Sequence, residues 1–375
     1  MSSKILKTIV ALGAVALLSS ACSLTTVNNS TGQVSATGVN SSVFFSTNSG
    51  DNWRPVNSIP TTNGQTLSLN GLNVKTLRAD PEDSSAIYLA TYDQGLYYTY
   101  NINNGWNHVA GLPLTTINDV QVDPKSKCII YAAVSNRLYR STDCTRNWDQ
   151  VYFDSSASVS VNTIVVDHTN PHNIYIGTSR GEIIKSIDGG NSWRTINRLN
   201  NGVARLIISP LDSGLLFAAT VKNEIFSFSS NSRTNAADLT NIDQNFSIDN
   251  WTDLNDVLSS YNLGQNFRDI IITPYDGLIF LITDKLILRS PDQGITWENI
   301  KLIQPPTDTI IKAIAVNPQK SSDLYYVTNT TLFRSTDAGV SWNTQSLPSG
   351  RIGQSLVVDA QHPNNIYLGT IKLAN

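Results

Sequence analysis

Short apolar runs alternate with polar turns along almost the whole chain. Runs such as IYLAT (87–91), IYIGT (174–178) and IYLGT (366–370) are five residues long and bounded by Asn, Asp, Pro, Ser or Gly. Their length and their Ile and Tyr content predict strands, because β-branched and aromatic side chains fit a pleated, half-buried surface. The runs come in pairs, an apolar strand closed by a Pro or Asn corner and then an Ile-Tyr-like strand: LRADP with IYLAT, VQVDP with IYAAV, IVVDH with IYIGT, LIISP with LFAAT, IIITP with IFLIT, IAVNP with LYYVT, and LVVDA with IYLGT.

A second pattern, S-x-D-x-G-x-x-W, falls between these pairs: STNSGDNW (46–53), STDCTRNW (141–148), SIDGGNSW (186–193), SPDQGITW (290–297), STDAGVSW (335–342) and a worn copy, TYNINNGW (99–106). The gap of 104 residues between Trp193 and Trp297 has room for one more copy, placed at Ser227 with an expanded loop and Trp251 in the tryptophan's position. Each unit therefore reads as four short strands in roughly 40 to 50 residues, the signature of a β-propeller blade. The chain enters with half a unit (Val43 to Val56) and leaves with the complementary half (Arg351 to Thr370). The predicted fold is all-β: a single seven-bladed propeller over 41–375 with four-stranded antiparallel blades, closed by strands from both termini so that no sheet edge is stranded.

The first 21 residues carry Lys4 and Lys7, an apolar run from Ile9 to Leu18 and then Ser19-Ser20-Ala21-Cys22, which reads as a secretory leader. The small residues before the cysteine resemble a bacterial lipobox, although Ser19 stands where Leu is usual; plain cleavage is the alternative. The resemblance implies a lipidated Cys22, a flexible tether over 22–40, and an extracytoplasmic, lipid-anchored protein, at the outer membrane or cell surface if the cell has two membranes. Cys128 and Cys144 remain, flanking a hairpin centred near Asn136. Positions symmetric about 136 face each other, so a disulfide is geometrically possible, with two free thiols as the alternative.

The repeated motif resembles the Asp-box, or BNR repeat, over nearly the whole mature chain. The resemblance implies structural loops joining each blade's third and fourth strands, on the rim opposite the usual ligand face. Asn48, Asn101, Asp143, Asp188, Asp292 and Asp337 then brace loops, and Trp53, Trp106, Trp148, Trp193, Trp297 and Trp342 pin them. Thr145 and Asn103 replace the loop glycine, which predicts two distorted loops. Asp-box propellers include sialidases, xyloglucanases, sortilin-type ectodomains and photosystem II assembly factors. The segment before Ser46 lacks the sialidase Arg-Ile-Pro, one ring is half a xyloglucanase, and the sortilin cysteine module is missing. Size, blade number and leader are most similar to the assembly-factor type.

Charged residues make up 15% of the chain and the formal net charge is -3, which disfavours nucleic acid as a partner. Propeller ligands meet the start of the first strands and the loops between second and third strands. The equivalent positions are Lys75, Asn118, Asn162, Ala204, Arg268, Lys312 and Gln354, with Asp119, Arg205 and Asp269 beside them, a basic mouth suited to an anionic group. Arg268 and Lys312 are expected in solvent there. Candidate acids for glycoside hydrolysis are Asp93, Asp119, Glu182, Glu224, Asp269 and Asp284. His108, His168, His172 and His362 have no metal-ligand spacing, so no metal or cofactor is assigned. The expected protein is a monomeric module binding a protein or glycan ligand; the alternative is a glycoside hydrolase acting on polysaccharide.

Overall fold

The structure, a computed structural model, describes residues 40–229, 251–303 and 310–372. The leader, Cys22, the tether up to residue 39 and the expanded loop 230–250 lie outside the described residues. The rest forms seven four-stranded antiparallel sheets. In chain order their first strands are Val74–Ala79, Ile117–Asp123, Val161–Val166, Val203–Ser209, Phe267–Ile272, Ala313–Asn317 and Ile352–Val358. We number the blades one to seven in that order. The seventh is completed by Ile366–Ile371 and by two strands from the chain's beginning, Val43–Ser46 and Arg54–Pro55.

A single antiparallel sheet has two faces to cover, and here each face is covered by a neighbouring blade. Seven apolar clusters result, each shared between adjacent blades. One joins Tyr175 and Ile183 of blade three to Leu206 and Phe228 of blade four; another joins Phe45 and Val56 of blade seven to Leu77 and Trp106 of blade one. Burial of this kind contributes roughly 1.5–3 kcal/mol per large side chain, so stability is spread around the ring.

The two chain ends are stitched polar-to-polar as well. Arg351 is buried, and among the described residues it has no carboxylate partner: its guanidinium donates to Thr370 Oγ1 (2.9 Å), Asn40 Oδ1 (3.0 Å), Asn73 Oδ1 (3.1 Å) and the Leu72 carbonyl. One side chain thus ties both halves of blade seven to the entry of blade one. Two elements have no counterpart in the repeat: a hairpin, Ser58–Pro60 with Thr66–Ser68, and a single helical turn, Asn255–Leu258. Among the described residues no helix is long and apolar enough to cross a membrane.

Cys128 and Cys144 are joined by a disulfide. The hairpin beside them is not symmetric about Asn136. Val134 pairs with Arg137 and Tyr131 with Arg140, so the turn has two residues and is centred between Ser135 and Asn136. The cysteines meet because the ladder has ended by then: Cys144 turns to φ 58° and its N–H donates to the Cys128 carbonyl (3.1 Å).

Candidate functional site

The motif loops brace one rim of the ring. In blade three Ser186 Oγ donates to Asp188 Oδ1 (2.8 Å) and accepts from Gly190 N (2.8 Å), while Asp188 accepts from Ser192 N and Oγ (2.8 and 2.6 Å). Blades five and six repeat this with Asp292 and Asp337, and blade two with Asp143. Asn48 does the same in blade seven, accepting from Ser46 Oγ and Asn52 N (2.9 Å each). The Ser192 and Ser341 hydroxyls hold Asp188 and Asp337 down at about 2.

Each of these five loops carries two consecutive left-handed residues, such as Ala338 and Gly339. At Gly339 a side chain is excluded by space too, since a Cβ would sit 2.2 Å from Ile300 Cγ2. Thr145 corrects an expectation. It adopts φ 70° and donates to Ser141 Oγ (3.0 Å), so its loop keeps the common form; a β-branched residue is held in a conformation that glycine would take at no steric cost. The worn copy does depart, as a 3-10 turn over Ile102–Asn104 capped by Asn101.

The tryptophans vary in depth: Trp106, Trp297 and Trp342 are buried, the others half-buried. Three donate across to the preceding blade, Trp106 to Val56 O, Trp193 to Val151 O and Trp342 to Lys301 O. Trp251 instead begins the fourth strand of blade four and packs on Phe228.

At the opposite ends of the first strands lies a cavity of about 320 Å³, lined by all seven predicted ring positions, Lys75, Asn118, Asn162, Ala204, Arg268, Lys312 and Gln354. A backbone device puts them there. In six blades the register against the second strand shifts at this point, so that Lys75, Asn118, Asn162, Ala204, Arg268 and Gln354 are each an extra residue. In blade six Lys312 N–H donates to the carbonyl of Val327, the partner of Ala313. A β-bulge sets two residues against one and re-aims the side chain. Hence two successive positions of every blade line the channel, an outer tier of the ring residues and an inner tier that includes Asp119, Arg205 and Asp269.

The inner tier is a chain of ion pairs across blades. Arg78 lies 3.3 Å from Asp119, Arg205 lies 3.5 Å from Asp119 and 3.3 Å from Asp269. Asp119 also accepts from the backbone of Val120 and Ile164 (3.0 Å each).

The outer tier divides into halves. From blade one to blade four a hydrogen-bonded belt satisfies it: Lys75 Nζ to Asn118 Oδ1, Asn118 Nδ2 to Val161 O, and Asn162 Nδ2 to Val203 O, each 2.9 Å. Then it stops. Among the described residues the side chains of Arg268, Lys312 and Gln354 make no hydrogen bond, and Arg268 Nε is buried without an acceptor. Tyr92 leans over this half with Lys75 Nζ 5.5 Å from its ring centre. The two cations are half-buried, not free in solvent as their rim position suggested. Burial lowers the affinity of both for a proton, and the like charge of Arg268 lowers Lys312 further. Burial also depresses Lys75, against the opposing pull of Asp119.

Of the six candidate acids only Asp119 and Asp269 line the cavity. Asp93 is exposed, and Glu182 is buried under Arg180 and Arg198. Glu224 accepts from Asn201 (3.0 Å) and Thr220 (2.9 Å), and Asp284 from Gln265 N (3.2 Å) and Asn266 Nδ2 (2.8 Å). The two that meet are bridged by one guanidinium, Arg205, with Arg78 also on Asp119, so a cation stands between them where a sugar would have to lie. His168 is spent on the Ser209 carbonyl (2.9 Å). Among the described residues no three His, Cys, Asp or Glu side chains gather as a metal site would need.

No protein-family description and no curated protein matches the chain. Solved structures do. A GH74 xyloglucanase from Xanthomonas campestris is similar at 16% identity with a TM-score of 0.62, over 80% of this chain and 51% of that one. YCF48 bound to D1 peptide is similar at 15% identity and 0.57, over 80% of this chain and 93% of that one. YCF48 from Cyanidioschyzon merolae is similar at 12% and 0.58, over 83% and 97%. The chain spans about half the length of the xyloglucanase. At these identities the likeness is one of fold.

Proposed function

We propose that this protein is a lipid-anchored, extracytoplasmic binding module whose channel mouth takes an anionic group of a protein or glycan partner. One observation carries the reading: Arg268 and Lys312 stand half-buried at the mouth, with no ion pair or side-chain hydrogen bond among the described residues, in a chain whose net charge is -3. Holding unneutralised cations out of water is costly, and an incoming anion relieves that cost. The YCF48 structure that carries a peptide supports a binding role for a single ring of this size. A glycoside hydrolase is the second reading, favoured by the GH74 likeness and disfavoured by Arg205 sitting between Asp119 and Asp269, the two channel carboxylates among the described residues.

Capture of partners from envelope extract tests the mouth. Wild type should retain them at low salt and release them at high salt, and the Arg268→Glu, Lys312→Glu double variant should fold and capture little. Identical capture by the two would remove the mouth from the reading. The anchor is tested separately by fatty-acid labelling: wild type should incorporate label and Cys22→Ser should not, whereas an unlabelled soluble product would overturn it.

A further inference from the structure

The charges around the channel can be balanced tier by tier. The inner tier closes on itself, Arg78 and Arg205 against Asp119 and Asp269. The outer tier has three cations, Lys75, Arg268 and Lys312. One carboxylate acts on Arg268 and Lys312 from outside the lining, Asp284, and it is already held by Gln265 and Asn266. Among the described residues, counting Asp284 as countercharge leaves two positive charges of the outer tier without a countercharge. A carboxylate or a sulfate ester supplies one negative charge. A phosphomonoester supplies about 1.5–2 at pH 7, with three acceptor oxygens.

The donors suit that group. Arg268 offers a planar fork whose Nε has no acceptor, and Lys312 a point charge from the next blade; together these are the usual pair of phosphate-binding side chains. The cavity is near the lower end of the roughly 300–1,000 Å³ typical of ligand pockets, which limits the body carrying the phosphate. We infer that the Arg268–Lys312 half of the outer tier, with Lys75 at the near end of the belt beside it, is a site for a phosphomonoester on a small body such as one sugar ring. The inference rests on the mouth being the binding face and goes beyond it by naming the anion.

Among the described residues no histidine lines the cavity; the charged and titratable groups there are Lys75, Arg78, Arg205, Arg268, Lys312, Asp119, Asp269 and Tyr92. Between about pH 5 and 7.5 the ligand's own second ionisation, near 6, is therefore the change that matters. Glucose 6-phosphate, glucose 6-sulfate and glucuronate share a sugar body and differ in the anion, with inorganic phosphate as the body-free control. By calorimetry on the mature protein, glucose 6-phosphate should bind about tenfold more tightly than the sulfate ester or glucuronate at about pH 7.5, and lose about that factor at about pH 5. Inorganic phosphate binding equally well would place the source in free phosphate; weaker binding places it in the ester.

Arg268→Gln with Lys312→Gln should abolish binding while the far-ultraviolet dichroism stays that of the wild type, and Arg268→Lys should retain part of it. If the double variant does not fold, Lys312→Gln alone carries the test. Equal affinity for the three sugar anions, a flat pH response, binding unchanged in a folded variant, or no binding by any probe would each overturn the assignment. Should envelope capture depend on the two cations while glucose 6-phosphate fails to bind, the phosphate falls and the mouth stands. The converse result would spare the phosphate site and remove it from partner capture.

Discussion

The two rims of this ring are built on opposite plans. On the motif rim, side chains repeat and each works locally: a serine, an acidic or amide oxygen and two left-handed residues recur in five loops with nearly the same hydrogen bonds. At the channel mouth it is the backbone that repeats, a bulge at the same place in six blades, while the side chain it delivers changes from Lys to Asn to Ala to Arg to Gln. Repetition of residues marks what holds a blade together. A repeated backbone position occupied by unlike residues marks where the molecule departs from symmetry, and an asymmetric ligand needs that departure.

The contrast is broken most severely by removing a blade half. Deleting residues 351–375 takes away two strands of blade seven and Arg351, exposing the third strand's edge and the apolar faces on both sides. The whole ring should unfold or aggregate by size-exclusion chromatography and circular dichroism; a stable monomeric truncation would show that closure is dispensable. Next in size is Trp106→Ala, which empties a fully buried site between blades one and seven and loses the bond to Val56. Denaturant unfolding should show a loss of about 3–5 kcal/mol.

A smaller effect distinguishes brace from mouth by pH. Asp188 is held at about 2 in the folded protein against roughly 3.9 unfolded, so its contribution is present above about pH 4 and is lost as pH falls through about 2. The melting-temperature difference between wild type and Asp188→Asn should therefore shrink as pH drops across that window. A difference independent of pH would mean that the carboxylate's charge plays no part. The smallest effect is Thr145→Gly. Relief of a left-handed β-branched residue, about 1–2 kcal/mol, is offset by glycine's freedom in the unfolded chain, about 0.4–1 kcal/mol, leaving a net gain under about 1.5 kcal/mol in the same unfolding assay. A net loss would mean that the threonine side chain has packing of its own to lose.

The motif rim was legible because its chemistry is contiguous: Ser186, Asp188 and Gly190 act within one loop, and Trp193, which also reaches Val151 of the preceding blade, closes the same eight-residue pattern. Blade number and closure followed from counting such loops and from the phase of the two chain ends. The ring positions at the mouth could be placed by counting back from each corner, yet nothing in the residues announced a bulge, which is a matter of pairing between strands. Pairing also hid the burial of Arg268 and Lys312, the belt that satisfies Asn118 and Asn162, and the capture of Glu182 by Arg180 and Arg198. Each depends on residues about forty positions apart in neighbouring blades, on a cross-strand pair such as Glu182 with Arg198, or on a turn shape such as Gly181 at φ 94°, that spacing alone does not reveal.

The pairing that closes the ring has a consequence for how the chain acquires its structure. Ser41 and Thr370 are hydrogen-bonded across 329 positions, and Val43–Ser46 pairs only with the last strand and with its own hairpin partner. During synthesis, the apolar segment VFFS must wait for all six intervening blades before its main partner exists. Contacts this distant in sequence form late and slowly, and a waiting edge is open to pairing with another molecule. A lag between the appearance of blade-like dichroism and the protection of the Val43–Ser46 amides from hydrogen exchange would record that wait.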